Sequence, residues 1–473
     1  MQKNRILALI SIGIFIFMST LDGSIVNVAL PTMSRELQVS LAQVTWVVTI
    51  YLIVISAVIL IFGRLGDLLG KANVFRTGAI IFTIGSFLAG INLGWGLPFL
   101  LFARIVQAVG GSMFMATSFG LVAQIFPPET RARAMAINSM FVSVGSIAGP
   151  AIGGLILQIT SWNYIFWINV PVGIIAYFLG SHALPKEKAK GSVQEVDFIG
   201  SALMALTIVF LFLGINYGQI AGWSNPFVIG AIILAVILFV LFIRTENRKS
   251  VPLIDLGIFK SKLFSLSVLT AMLNFTAAMF VNILMPFFLQ DYHGLSAGVA
   301  GLMMTAYPVA MLISSPISGV LSDKYDKELI TFIGISGIII AQLGYLSISG
   351  NTPYGFVIAA LALHGLSVGF FQSPNNALVM STVDKKYLGI AGSVNSLARN
   401  IAFVLGTSLA TISLFFAMSS LAGRHITTYI ASQPKLFLDG MHISLFVSLV
   451  LVIITWILSL MRMLGNRKAK KTV

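Results

Sequence analysis

The sequence predicts an all-α membrane protein with fourteen transmembrane helices: two parallel six-helix repeats and two further helices inserted between them. Three observations predict it. Hydrophobic residues make up 57% of the 473-residue chain and charged residues only 9%, against about 25% charged in an average soluble chain. Apolar runs of about 20 residues, the length that crosses a bilayer, recur along the whole sequence. Short polar motifs of the first half return in the second half about 256 residues later.

The runs lie near residues 6–30, 44–62, 74–93, 97–125, 134–159 and 164–183, then 198–217 and 227–243, then 264–289, 297–321, 329–349, 356–380, 388–419 and 442–461. The first run follows a basic start, as in a signal peptide, but it is too long, contains Asp22 and lacks a small-residue cleavage pattern, so it reads as an uncleaved span. The chain has no cysteine, which excludes disulfides and Cys-ligated metals. A net charge of +14 would suggest nucleic acid in a soluble chain. Here, placing the N-terminus inside puts 24 Lys and Arg side chains on the cytoplasmic side and 3 outside, with Arg104 and Arg399 within spans, which recovers all 29. That bias sets topology, so no nucleic-acid partner is expected. The prediction is a multi-pass protein of the cell membrane with both termini cytoplasmic and the lipid bilayer as its surroundings.

Self-comparison defines the repeat. Gly63 and Asp67 return as Gly319 and Asp323, a shift of 256; Asn138 returns as Asn395, a shift of 257; Asn27 and Pro31 return as Asn282 and Pro286, a shift of 255. The predicted domains are therefore residues 1–184, an insertion over 185–262, and residues 263–473. Parallel repeats of this kind are a transporter architecture, with the substrate site expected between the halves near the bilayer midplane.

Asp22 is the only acid well inside a span, and a buried carboxylate is costly enough to mark a functional candidate. Thr20, Ser24, Asn27 and Pro31 share one face of the first helix, while Asp22 points roughly 160° away. Either Asp22 lines the pathway or it pairs with a neighbouring helix. In the fourth span Arg104, Gln107, Gly111, Met115 and Ser118 form one stripe, and Asn395 with Arg399 forms a similar face in the thirteenth. An arginine does not carry protons at physiological pH, but it can stabilise a carboxylate or bind substrate. His364, at the repeat position of Gln107, reads as a packed polar residue. The candidate substrate pathway comprises Asn27, Gln107, Met115, Asn138, Asn395 and Arg399, and the candidate proton-coupling pair is Asp22 with Arg104. Gly63, Asp67, Gly70 and Lys71 mark a tight cytoplasmic turn, echoed at Gly319 and Asp323.

Gly145, Gly149 and Gly153 fall within about 80° of arc on the fifth helix, leaving bare backbone, and Pro150 beside them bends the rod. Two enzyme-like patterns fail. Gly365-Leu-Ser367-Val-Gly369 lies in an apolar helix and lacks the strand a nucleophile elbow needs, and no Gly-rich Gly-Lys-Ser/Thr stretch is present to hold ATP. The chain is therefore predicted not to be an enzyme, to need no cofactor and to work by secondary transport.

With these residues, the chain resembles the major facilitator superfamily, and more closely its fourteen-span drug:proton antiporter family. Leu21 to Pro31 is similar to that family's first-span signature, Gly63 to Lys71 to the superfamily loop motif, and Arg104 to Gln107 to the fourth-span motif. Gly145, Gly149, Pro150, Gly153 and Gly154 resemble the antiporter motif, and the stretches Trp162 to Gly173 and Pro252 to Leu256 resemble others typical of the fourteen-span group. Leu68, Ala72 and Ala108 depart from the usual pattern, as does Asp326, which replaces a glycine. The resemblance implies a monomeric proton-coupled exporter of amphipathic small molecules, with the proton gradient as its energy source; an exporter or flippase of an endogenous lipid-like or metabolite substrate is the alternative. The second copy keeps Gly406 opposite Gly149 but has Ala402, Thr407, Ala410 and Thr411 opposite Gly145, Pro150, Gly153 and Gly154. The glycine face is therefore predicted to serve direction of transport, as a seal between the halves.

Overall fold

A segment that crosses hydrocarbon must satisfy its backbone groups internally, and an apolar helix does so. The computed structural model describes residues 2–91, 95–187, 197–249, 256–381 and 388–471. Fourteen long helices run through them: α1 (Gln2–Glu36), α2 (Trp46–Leu69), α3 (Lys71–Gly90), α4 (Gly96–Ile125), α5 (Pro128–Ile159), α6 (Asn169–Ala183), α7 (Phe198–Ala221), α8 (Pro226–Glu246), α9 (Lys262–Phe287), α10 (Ala306–Lys324), α11 (Lys327–Leu346), α12 (Tyr354–Ser381), α13 (Leu388–Ala422) and α14 (Pro434–Lys471). Among the described residues thirteen segments are long and apolar enough to cross a membrane, and α5 adds the shorter apolar stretch Ala148–Ile159. No strand occurs among the described residues.

Local chemistry sets the breaks. Gly70 and Gly222 take φ of +97° and +86°, the left-handed region that glycine tolerates, and separate α2 from α3 and α7 from α8. Asp197, Ser261 and Asp326 accept backbone N–H bonds at the starts of α7, α9 and α11. Asn225 caps α8, with Pro226 at its first position. The second span begins with a separate turn, Leu41–Val44, fixed by a capping box between Ser40 and Gln43.

The chain forms two compact units, Met1–Leu253 and Ile254–Val473. Helix pairing within each repeats: α1 packs on α5 as α9 does on α13, α3 on α4 as α11 on α12, and α2 on α4 as α10 on α12. The inserted hairpin α7–α8 belongs to the first unit, with α7 against α2; the sequence had set it apart as a segment of its own. Four buried phenylalanines, Phe15, Phe75, Phe82 and Phe114, tie α1, α3 and α4 together. Phe15 and Phe75 pack edge-to-face at 5.6 Å and Phe82 and Phe114 at 5.3 Å, each such pair contributing about 0.5–1.5 kcal/mol beyond burial.

Candidate functional site: a buried charge network and a glycine-rich turn

Asp22 lies on α1 with no exposed surface, and Arg104 on α4 is 1% exposed. Arg104 Nη1 donates to Asp22 Oδ2 at 2.6 Å and to Gln107 Oε1 at 2.6 Å, and its Nε donates to the Val47 carbonyl of α2 at 3.0 Å. Gln107 Nε2 in turn donates to Asp22 Oδ1 at 3.0 Å and to Ser86 Oγ of α3 at 2.8 Å. Both carboxylate oxygens are thus engaged. The guanidinium lies 4.1 Å from the Tyr51 ring centre and 5.4 Å from that of Phe166, over two faces that favour a cation. At the edge, Ser19 donates to Met115 Sδ at 3.4 Å and stands 3.1 Å from the Tyr51 hydroxyl.

Burying two charges costs several kcal/mol each, and only a pair with its remaining polar groups satisfied offsets that. Removing the charge of either partner leaves the other buried and uncompensated, a cost of about 3–5 kcal/mol. The network therefore couples the charge on Asp22 to the contact between α1 and α4.

Of the two orientations open to Asp22, the structure has the pairing one. Thr20 and Ser24, on the opposite face, bond back to carbonyls of their own helix and lie against α5. A Cβ on Gly145 would fall 2.1 Å from Thr20 Oγ1, one on Gly149 1.8 Å from Ser24 Oγ, and one on Gly153 2.7 Å from Ile25 Cγ1. Pro150 and Gly154 are buried in the same stretch. The face read as a seal between the halves is covered instead by α1 of its own unit, because three glycines admit the neighbouring helix to backbone contact.

Other candidates do not join the network. Asn27 donates to the Gly23 carbonyl at 3.3 Å, and its Oδ1 has no hydrogen-bond partner among the described residues. Asn138 is fully buried with neither amide atom partnered among them. In the second unit Asn395 donates to Asn376 Oδ1 at 3.2 Å, and Arg399 is half-buried. Sequence reasoning passed over Tyr51, Ser86 and Phe166. The signal for Tyr51 was its recurrence as Tyr307, a shift of 256.

At the turn between α2 and α3 Lys71 pairs with Asp67, and its stem crosses Gly120 of α4. Gly66 lies against Thr117 Cγ2 of the same helix. Gly70 is required twice, by its positive φ and by Glu187, whose Cβ would lie 2.8 Å from any Gly70 Cβ. Glu187 Oε2 accepts from Ala72 N at 2.9 Å at the start of α3, Oε1 accepts from Gln124 of α4, and its carbonyl accepts from Asn73 at 3.0 Å. A carboxylate there also meets the positive end of the helix dipole. Gly63 has open space around it, and Gly319 has only Ser373 Oγ nearby. The side chain of Asp323 and the stretch from Pro252 to Asp255 lie outside the described residues.

The profile of the Major Facilitator Superfamily matches residues 12–215 and 198–407. The chain belongs to the major facilitator superfamily. Multidrug resistance and multidrug export proteins are among the members it resembles, and it is a transporter rather than an enzyme. It is 37% identical over 418 residues to the riboflavin transporter RibZ of Clostridioides difficile (strain 630), covering 88% of this chain and 90% of that protein. It is 29% identical over 404 residues to the multidrug export protein EmrB of Escherichia coli (strain K12), covering 85% and 78%. A solved bacterial homologue of the human drug peptide transporters PepT1 and PepT2 aligns with a TM-score of 0.69 over 98% of this chain and 99% of that one at 15% identity, a likeness of fold alone.

Proposed function

We propose that this superfamily member is a proton-coupled antiporter that exports amphipathic small molecules, drugs among them, across the cytoplasmic membrane. The observation that carries the reading is the buried Asp22–Arg104 pair, 2.6 Å apart between two spanning helices. A proton on Asp22 neutralises the partner that holds the guanidinium, and the uncompensated charge drives α1 and α4 to rearrange. Proton uptake from outside and release inside then alternate with substrate release and capture. The proton gradient is the energy source, with no cofactor, and the monomer in its bilayer is the working unit, with no nucleic-acid partner. The 24 to 3 bias of basic residues supports cytoplasmic termini, and the cytoplasmic turn at Gly63, Asp67, Gly70 and Lys71 serves as a gating element.

The test is Asp22→Asn reconstituted in vesicles with an imposed pH gradient. Gradient-driven export should fall at least about tenfold, while the protein stays folded and still binds substrate. A folded variant that exports against a gradient at the wild-type rate would sink the role of Asp22.

A second reading, export of an endogenous metabolite with drugs incidental, is favoured by the 37% identity to a riboflavin transporter. A deletion strain that retains riboflavin yet keeps its drug tolerance would decide for this reading.

A further inference from the structure

The second repeat holds a polar site that no role above uses. Shifts of 255 to 257 residues carry Tyr51 to Tyr307, Ser86 to Gln342, Arg104 to Leu361, Gln107 to His364, and Asp22 to Ala277 or Ala278. Both charges of the first repeat are replaced by aliphatic side chains, and what remains is polar and neutral. His364 is buried on α12, its Nδ1 3.3 Å from the Tyr345 hydroxyl of α11. Its ring stands edge-to-face with Tyr307 at 5.1 Å and with Tyr345 at 5.8 Å.

The available protons limit the hydrogen-bond directions. Ser448 donates its proton to the Ala277 carbonyl at 3.1 Å, so the Gln342 group 3.1 Å from Ser448 Oγ is the amide N–H. Gln342 Oε1 is left buried, with no hydrogen-bond partner among the described residues. The Tyr345 hydroxyl donates to the Ala360 carbonyl at 3.3 Å. With that proton on the carbonyl it accepts from His364 in the tautomer protonated at Nδ1, which leaves Nε2 the lone pair. Gln342 and Tyr345, three residues apart on α11, share a face. In the first repeat the matching positions touch, with Gln107 Nε2 donating to Ser86 Oγ at 2.8 Å.

A buried acceptor with no donor is costly in a closed core, and few native groups stay in that state. We propose that Gln342 and His364 form the recognition site of the second repeat for a neutral substrate group that donates an N–H or O–H hydrogen bond, with the half-buried Tyr307 ring as the stacking face beside it. This rests on the reading of the chain as an exporter of amphipathic molecules and narrows its substrates to those bearing a donor on a flat, uncharged ring. Substrates defined by charge alone find no counter-charge at these positions.

Lumiflavin, with an imide N–H, and 3-methyllumiflavin, without it, test the site by equilibrium binding to the purified full chain. The wild type should bind lumiflavin about tenfold more tightly than its methylated analogue. Gln342→Leu and His364→Phe should each bring that ratio below about threefold by weakening lumiflavin, while tetraphenylphosphonium binding stays near wild type and reports that each variant is folded. Equal wild-type affinity for the two flavins, or a preference that survives both substitutions, overturns the proposal. Loss of proton coupling in the vesicle experiment leaves these ratios untouched, so the two readings fail separately.

Discussion

Arg104 makes contacts that no lysine reproduces: two acceptors on Nη1, a backbone carbonyl on Nε and an aromatic ring under the guanidinium plane. A lysine keeps the charge but loses the fork and the stacking. Arg104→Lys should therefore lower gradient-driven transport at least about tenfold and also lower the melting temperature, the loss of one charged hydrogen bond being about 1.5–3 kcal/mol. Transport and thermal stability both unchanged would mean that the charge alone suffices. Asp22, Arg104 and Gln107 were legible in the sequence because polar and charged groups are rare in spans and each is costly there. Their meeting was not legible. An angle around a helix axis says which way a side chain points, not which helix lies there.

At the scale of elements, glycine spacing behaves in the same way. The bare face of Gly145, Gly149 and Gly153 was visible as a period, whereas its partner is a tertiary fact: α1, through Thr20, Ser24 and Ile25. A methyl on Gly149 would lie 1.8 Å from Ser24 Oγ and 2.7 Å from its Cβ. Gly149→Ala should accordingly destabilise the protein by about 1–3 kcal/mol, and Ser24→Gly in the same chain should restore part of the loss. Melting curves of the single and double variants measure this coupling, and strictly additive effects would separate the two positions. The turns between the second and third helices of each repeat solve one problem in two ways. In the first, Gly70 leaves room for Glu187 to satisfy the start of α3. In the second, Asp326 occupies the matching position with φ of −62° and accepts from Glu328 N itself. The departure of Asp326 from the usual glycine thus reflects a helix that supplies its own cap.

At the scale of the molecule, both repeats and all fourteen helices could be read from apolar runs and from three motif shifts. Bilayer crossing imposes a length on every helix, and duplication imposes an order on them. The attachment of α7–α8 was not readable, since an apolar hairpin carries no local mark of the helix it will pack against. The absence of native cysteine makes orientation directly testable. Gln433 before α14 and Asn247 after α8 are both exposed. In intact cells a membrane-impermeant maleimide should label Gln433→Cys and leave Asn247→Cys unmodified until the membrane is opened; the reverse pattern would invert the topology.

Leu361 and Ala277 stand where the first repeat keeps Arg104 and its carboxylate partner. In the proposed mechanism, duplication has separated an engine from a lock: the copy that holds the charges cannot drift without stalling the cycle, whereas the copy without them can change its side chains and still be driven. Under selection by a new toxin, that arrangement leaves positions such as Gln342 or His364 free to vary while the proposed motor is inherited intact.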